Sequence, residues 1–116
     1  MYKRQFHESA LKKITVYGKV ELNETFTGCK KLKTVVLKEG VKKLGEYVFI
    51  DCPKLRSVTV PKGIKNLGWN IDSIFYYRGL KCNLSKITIK TPKNSEMYKE
   101  RKFLKKRYKI KVKVIK

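Results

Sequence analysis

Three cysteines, a single histidine and aromatics set beside arginine are the side chains of this sequence with evident chemistry to offer. A thiol that binds metal or catalyses needs a partner at close spacing: a second thiol as in C-x-x-C, or a histidine. Cys29, Cys52 and Cys82 have neither nearby, and His7 is remote from all three. Each cysteine instead recurs at one phase of a repeated pattern, three residues before a leucine (two for Cys82). That phase makes each a small buried apolar residue. Asp51 and Asp72 lack a paired carboxylate, and phosphate-loop, nucleophile-elbow and H-E-x-x-H patterns are missing. The chain is therefore expected to be no enzyme and to hold no metal and no cofactor. Three thiols without pairing logic suit a reducing compartment, so a cytoplasmic location is expected.

Binding chemistry is better represented. The 116 residues hold 30 Lys and Arg against 9 Asp and Glu, a formal net charge of +21. A domain so charged repels itself and associates with polyanions. The arginines are Arg4, Arg56, Arg78, Arg101 and Arg107, and every other cation is a lysine. Lysine is a point charge, whereas arginine offers the planar fork that reads guanine. The bias favours phosphate contact over base readout. An AT-rich genome would explain lysine over arginine, but not the scarcity of acids.

Two segments concentrate this chemistry. Residues 99–116 hold ten basic residues and Glu100 alone as an acid. There Lys99, Arg101, Lys102, Lys105, Lys106, Arg107, Lys109, Lys111 and Lys113 are the candidate phosphate ligands, and a solvated cap face is the plainer use of the same charges. Residues 69–83 form an insertion bearing Trp69, Tyr76, Tyr77 and Arg78. Aromatics beside a cation suit base stacking or a protein hot spot, although Trp69 or one Tyr would also plug a widened rung.

The elements that position these groups follow from an internal repeat. Leu11-x-x-Ile14-x-Val16 recurs as Leu32-x-x-Val35-x-Leu37, Leu55-x-x-Val58-x-Val60 and Leu84-x-x-Ile87-x-Ile89. Apolar pairs spaced by two read as short strands, and one such unit buries its face only by stacking on others. The two central copies match over their whole length, from Phe26 and Cys29 to Leu44 and Gly45, and from Phe49 and Cys52 to Leu67 and Gly68. This pattern resembles the BspA-type leucine-rich repeat family. Phe49, Cys52, Leu55, Val58, Val60, Pro61, Ile64, Leu67 and Gly68 fall on the family unit in order, and Lys38 replaces the usual Pro in the preceding copy. Ile89, Pro92, Lys93, Ser95, Tyr98 and Ile110 sit where the family's C-terminal cap would place them. The resemblance implies a fold and a binding scaffold but no particular ligand. Many family members are large, secreted surface proteins. This chain is short and strongly basic, and its first 25 residues read as no signal peptide.

The expected fold is thus α+β, a short leucine-rich-repeat solenoid of about four rungs with parallel strands. The single domain divides into an N-terminal cap at 1–10 with a helical turn as its candidate structure, repeats at 11–91 and a basic cap at 92–116. Strands are expected near 13–17, 34–38, 57–61 and 86–90, and a helix near 95–107 with Asn94 or Ser95 as its N-cap. A closing strand alternates Tyr108, Ile110, Val112 and Val114 with Lys109, Lys111 and Lys113. Alternation puts Lys13, Thr15, Tyr17, Thr34, Val36, Lys38, Ser57, Thr59, Pro61, Lys86, Thr88 and Lys90 on the outer sheet face. Lys12, Lys33 and Arg56 should stack as one cationic row, and Lys42 with Lys65 as another.

The expected function is a basic binding module for nucleic acid or a nucleoprotein complex. Size and charge also suit a phage or mobile-element inhibitor of host nucleic-acid machinery such as a CRISPR effector. The alternatives are a module that binds an acidic protein partner and a fragment of a bacterial surface repeat protein. No membrane span is expected, because no stretch approaches about 20 apolar residues.

Overall fold

The C-x-x-L spacing is the start of each rung. In a computed structural model of the chain, Leu32 N–H donates to Cys29 O at 3.3 Å and Leu55 N–H to Cys52 O at 3.2 Å. Both cysteines and both leucines are fully buried, so a four-residue turn delivers a core pair and aims the chain into a strand. The structure describes residues 2–3, 11–18, 21–23, 28–41, 43–44, 52–64 and 86–115.

Strands β1 (Tyr2–Lys3), β2 (Lys13–Val16), β3 (Glu21–Asn23), β4 (Thr34–Leu37), β5 (Lys43–Leu44) and β6 (Ser57–Thr59) come first. They are followed by β7 (Thr88–Pro92), helices α1 (Glu96–Lys99) and α2 (Arg101–Tyr108), and β8 (Lys111–Ile115). A five-stranded sheet runs β2-β4-β6-β7-β8 and a three-stranded sheet runs β1-β3-β5, with every pairing parallel. The second sheet was not expected from the sequence. Its strands follow the spacing of the repeat, Leu22 pairing with Leu44. Tyr2–Lys3 pairs with Leu22–Asn23, so these two residues form a strand and not a helical turn.

Register carries the repeat into the core. Ile14, Val35, Val58, Ile89 and Val112 lie side by side across the larger sheet. The first four are buried and Val112 packs against them. Neighbouring β-branched side chains about 4.8 Å apart exclude water from each other. Leu11 opens the first of these repeats yet is 49% exposed, being flanked by one described rung and not two. Ahead of the strands the backbone is already laddered. Lys12 O accepts from Lys33 and Thr34 N–H, Lys33 O from Arg56 and Ser57 N–H, and Arg56 O from Thr88 N–H at 2.8 Å. The expected row Lys12–Lys33–Arg56 is therefore stacked in register, whereas Lys42 and Lys65 lie outside the described residues.

Turns between rungs use glycine where the backbone demands it. Gly18 and Gly40 have φ of 87° and 108°, and a Cβ on Gly40 would meet the Gly18 backbone at 3.4 Å. A side chain at either would strain the turn. Glu39 in the same region accepts from Lys62 N–H of the next rung at 3.2 Å. One of the few acids is thereby spent on backbone.

The C-terminal cap is a strand–helix–helix–strand unit. The single helix expected at 95–107 is two, because the chain turns at Glu100, whose N–H reaches back to Met97 O and Tyr98 O. Ser95 is the N-cap, its side chain accepting from Tyr98 N–H at 3.0 Å. Met97, Leu104 and Ile110 fill the core beneath the last rung. The repeat strand expected at 86–90 lies at 88–92, where it pairs residue for residue with β8.

Candidate functional site

Helix α2 reads RKFLKKRY, strong helix formers with one apolar anchor. Leu104 is that anchor and is fully buried. Its burial fixes the rotation of the helix and leaves Lys102, Lys105, Lys106 and Arg107 exposed. Lys109 ends the helix in the left-handed conformation, φ 64°, with its N–H on Leu104 O and Lys105 O. Two cations of the segment are engaged locally. Lys99 pairs with Glu96 at 3.3 Å, both ends well exposed. Arg101 stacks its guanidinium 4.1 Å from the centre of the Tyr98 ring and donates to Tyr98 O at 3.1 Å. Lys99–Glu96 is the one ion pair of the helical segment among the described residues.

Strand β8 turns its cations another way. Lys111 and Lys113 alternate with Val112, which packs on the core, so both lysines stand on the outer sheet face. Register sets out that face as two rows. One runs Lys13, Thr34, Ser57, Thr88, Lys111, and the other Thr15, Val36, Thr59, Lys90, Lys113. The centre is small and neutral and lysines cluster toward the ends. Four side chains expected with these rows leave them. Pro61 is buried, because alternation ends with β6 at Thr59 and the chain turns at Lys62–Gly63. Lys86 precedes β7, Tyr17 follows β2 and Lys38 follows β4; all three are exposed beyond the ends of their strands.

Eight of the nine tail cations thus fall on two surfaces: Lys111 and Lys113 on the sheet face, and the six of the helices over the core side, where Leu104 inserts; Lys109 lies between α2 and β8. Trp69, Tyr76, Tyr77 and Arg78 lie outside the described residues. Arg56 uses its guanidinium on its own turn, donating to Pro53 O at 3.3 Å and Leu55 O at 2.9 Å.

Sequence reasoning missed the placement of Phe103, which is 40% exposed and, with Lys106 and Arg107, lines a cavity of about 380 Å³. The signal that could have found it is the spacing: 103, 106 and 107 are i, i+3 and i+4, one face of a helix. Among the described residues no group of three or more His, Cys, Asp or Glu could hold a metal ion, and no helix is long and apolar enough to cross a membrane.

Comparison with protein families gives one match: the model described as BspA type Leucine rich repeat region covers residues 1–111 in six copies. Comparison with curated proteins and with solved structures gives none.

Proposed function

This chain belongs to the BspA-type leucine-rich repeat family, and we propose that it serves as a non-enzymatic binding module for nucleic acid, or a nucleoprotein complex, through Lys and Arg contacts to phosphate. The proposed frame is a stack of about four rungs closed by residues 92–116, working in a reducing, cytoplasmic setting. Leucine-rich repeats are interaction scaffolds, and the repeat supplies a rigid platform and not a reaction.

The observation that supports the reading is the set of uncompensated cations on α2. Lys102, Lys105, Lys106 and Arg107 project from less than two turns of exposed helix surface with no acidic partner among the described residues. Their mutual repulsion is relieved by phosphates, which carry one negative charge each and need no side-chain specificity. Phosphate contact also fits the lysine bias, since a point charge tracks a backbone without reading its bases.

The sheet face favours a second reading, capture of an acidic protein. Its neutral centre of Thr34, Ser57, Thr88, Val36 and Thr59 is flanked by Lys13, Lys90, Lys111 and Lys113. Binding to duplex DNA, single-stranded DNA and structured RNA at about 50 and 200 mM salt separates the two. Retention of one nucleic-acid class at the higher salt supports the first reading. Replacing Lys105, Lys106 and Arg107 with Gln should then reduce the salt slope by up to about 0.9 per lost contact. Equal and weak binding of all three classes, released together by salt, favours an acidic protein.

A further inference from the structure

Phe103, Lys106 and Arg107 form a mixed surface that phosphate contact alone does not explain. A helix that needs only cations for a polyanion gains nothing from a large apolar ring among them, and exposing that ring forgoes its burial. Phe103 is 40% exposed although Leu104, its neighbour, is fully buried. Its one described ring partner is Tyr108, centroids 6.2 Å apart and planes at 84°. An edge-to-face contact occupies at most one face of each ring, and the exposed part of Phe103 borders the cavity, where a ligand can reach it. Arg107 is held nearby, its guanidinium carbon 5.8 Å from the Tyr108 ring centre. Lys106 lines the cavity on the same face.

The chemistry of this cavity is a flat apolar wall beside two cations. Side chains at i, i+3 and i+4 on a helix stand about 5–6 Å apart at Cβ. A nucleotide joins a flat base to its phosphate through a single sugar, a span of the same order. The cavity volume of about 380 Å³ falls within the range of small-ligand sites. We propose that Phe103, Lys106 and Arg107 form a nucleotide subsite, in which an unpaired base stacks on Phe103 while Lys106 and Arg107 take its phosphate. The preferred ligand is therefore a single strand, since a base in a duplex is already stacked on its neighbours. This rests on the nucleic-acid reading above and narrows it from any polyanion to an unpaired strand. Arg107 can also cover a second base through its planar guanidinium.

The test uses the full chain and four labelled probes of about 12 nucleotides: oligo-dT, oligo-rU, an abasic strand with the same phosphates, and a duplex. Wild type should bind oligo-dT and oligo-rU more tightly than the abasic strand. Phe103→Leu keeps apolar bulk but removes the ring, and should lose about tenfold on oligo-dT with no change on the abasic strand or the duplex. Its salt slope should be unaltered, because no charge has changed. Phe103→Trp should restore binding, which separates stacking from any loss of fold. Lys106→Gln with Arg107→Gln should lower the salt slope on all four probes. Equal loss on the abasic strand and oligo-dT with Phe103→Leu, or no loss on either, overturns the subsite while leaving phosphate binding intact. Failure of wild type to bind any of the four overturns the nucleic-acid reading itself.

Discussion

At the scale of single residues, two side chains show how the cap is secured. Thr91 occupies an inward position whose neighbour in the ladder is Val60, yet it is polar and fully buried. Its hydroxyl lies 2.9 Å from Val60 O and 2.6 Å from Ser95 Oγ, and Ser95 Oγ accepts from Tyr98 N–H. One proton per hydroxyl fixes the direction. Thr91 donates to Val60, Ser95 donates to Thr91, and the helix N-terminus donates to Ser95. The relay ties the last repeat strand to the first turn of α1. Thr91→Val keeps the shape but leaves the Ser95 proton and the Val60 carbonyl without their partner. It should destabilise the fold by about 1–3 kcal/mol in urea unfolding, whereas a site filled by shape alone would tolerate it. Lys109 makes the opposite case. It holds a left-handed φ of 64° that costs a non-glycine residue about 1–2 kcal/mol. Lys109→Gly should raise the melting temperature. If Lys109 also touches phosphate, the same variant should bind more weakly, and stability and affinity will move in opposite directions.

At the scale of elements, the rungs were readable because their signal is local and repeated. The spacing Leu-x-x-β-x-β placed β2, β4 and β6 to within two residues, and residue type and position narrowed the cap to Asn94 or Ser95, of which the structure uses Ser95. The second sheet was not readable, since two- and three-residue strands such as Lys43–Leu44 are defined by what pairs with them. Nor was the break at Glu100, where good helix formers stand on both sides and tertiary packing decides. The candidate site was legible in charge but not in shape. Counting cations over 99–113 gave one patch, while the alternation of β8 and the rotation of α2 divide it between two surfaces. Strand β8 adds a structural duty: among the described residues it is an edge of the sheet, and alternating lysines discourage another strand from pairing there. Lys113 lies in register with Lys90 across a parallel pair. Lys113→Glu should turn a repulsive neighbour into an attractive one and stabilise the fold by about 0.2–1 kcal/mol, read by thermal or urea unfolding. The same change should weaken a polyanion bound at the sheet face and leave one bound at α2 nearly untouched. Binding measured on this variant thereby assigns the ligand to one surface or the other.

At the scale of the whole molecule, charge and size together set a conflict that salt should expose. The chain is 32 × 31 × 24 Å across and carries a net +21. At about 0.01 M salt the screening length is about 30 Å, so every cation repels nearly every other across the molecule. At about 0.1 M it falls to about 10 Å, and repulsion is confined to neighbours on one face. Folding concentrates these charges, so the native state bears more of the repulsion than the expanded chain does. Added sodium chloride should therefore raise the melting temperature between about 0.01 and 0.2 M, the reverse of a fold held by surface ion pairs. Ligand binding should have the opposite dependence, because released counterions drive it. A polyanion that binds the native state should raise the melting temperature most at low salt and lose that effect as salt rises. The two trends oppose each other, and stability with and without oligo-dT should converge as salt increases. A melting temperature that falls with salt in the free protein would mean that ion pairs dominate the surface. The uncompensated cations of α2 and β8 would then have partners elsewhere in the chain, and the argument for a phosphate ligand would lose its basis.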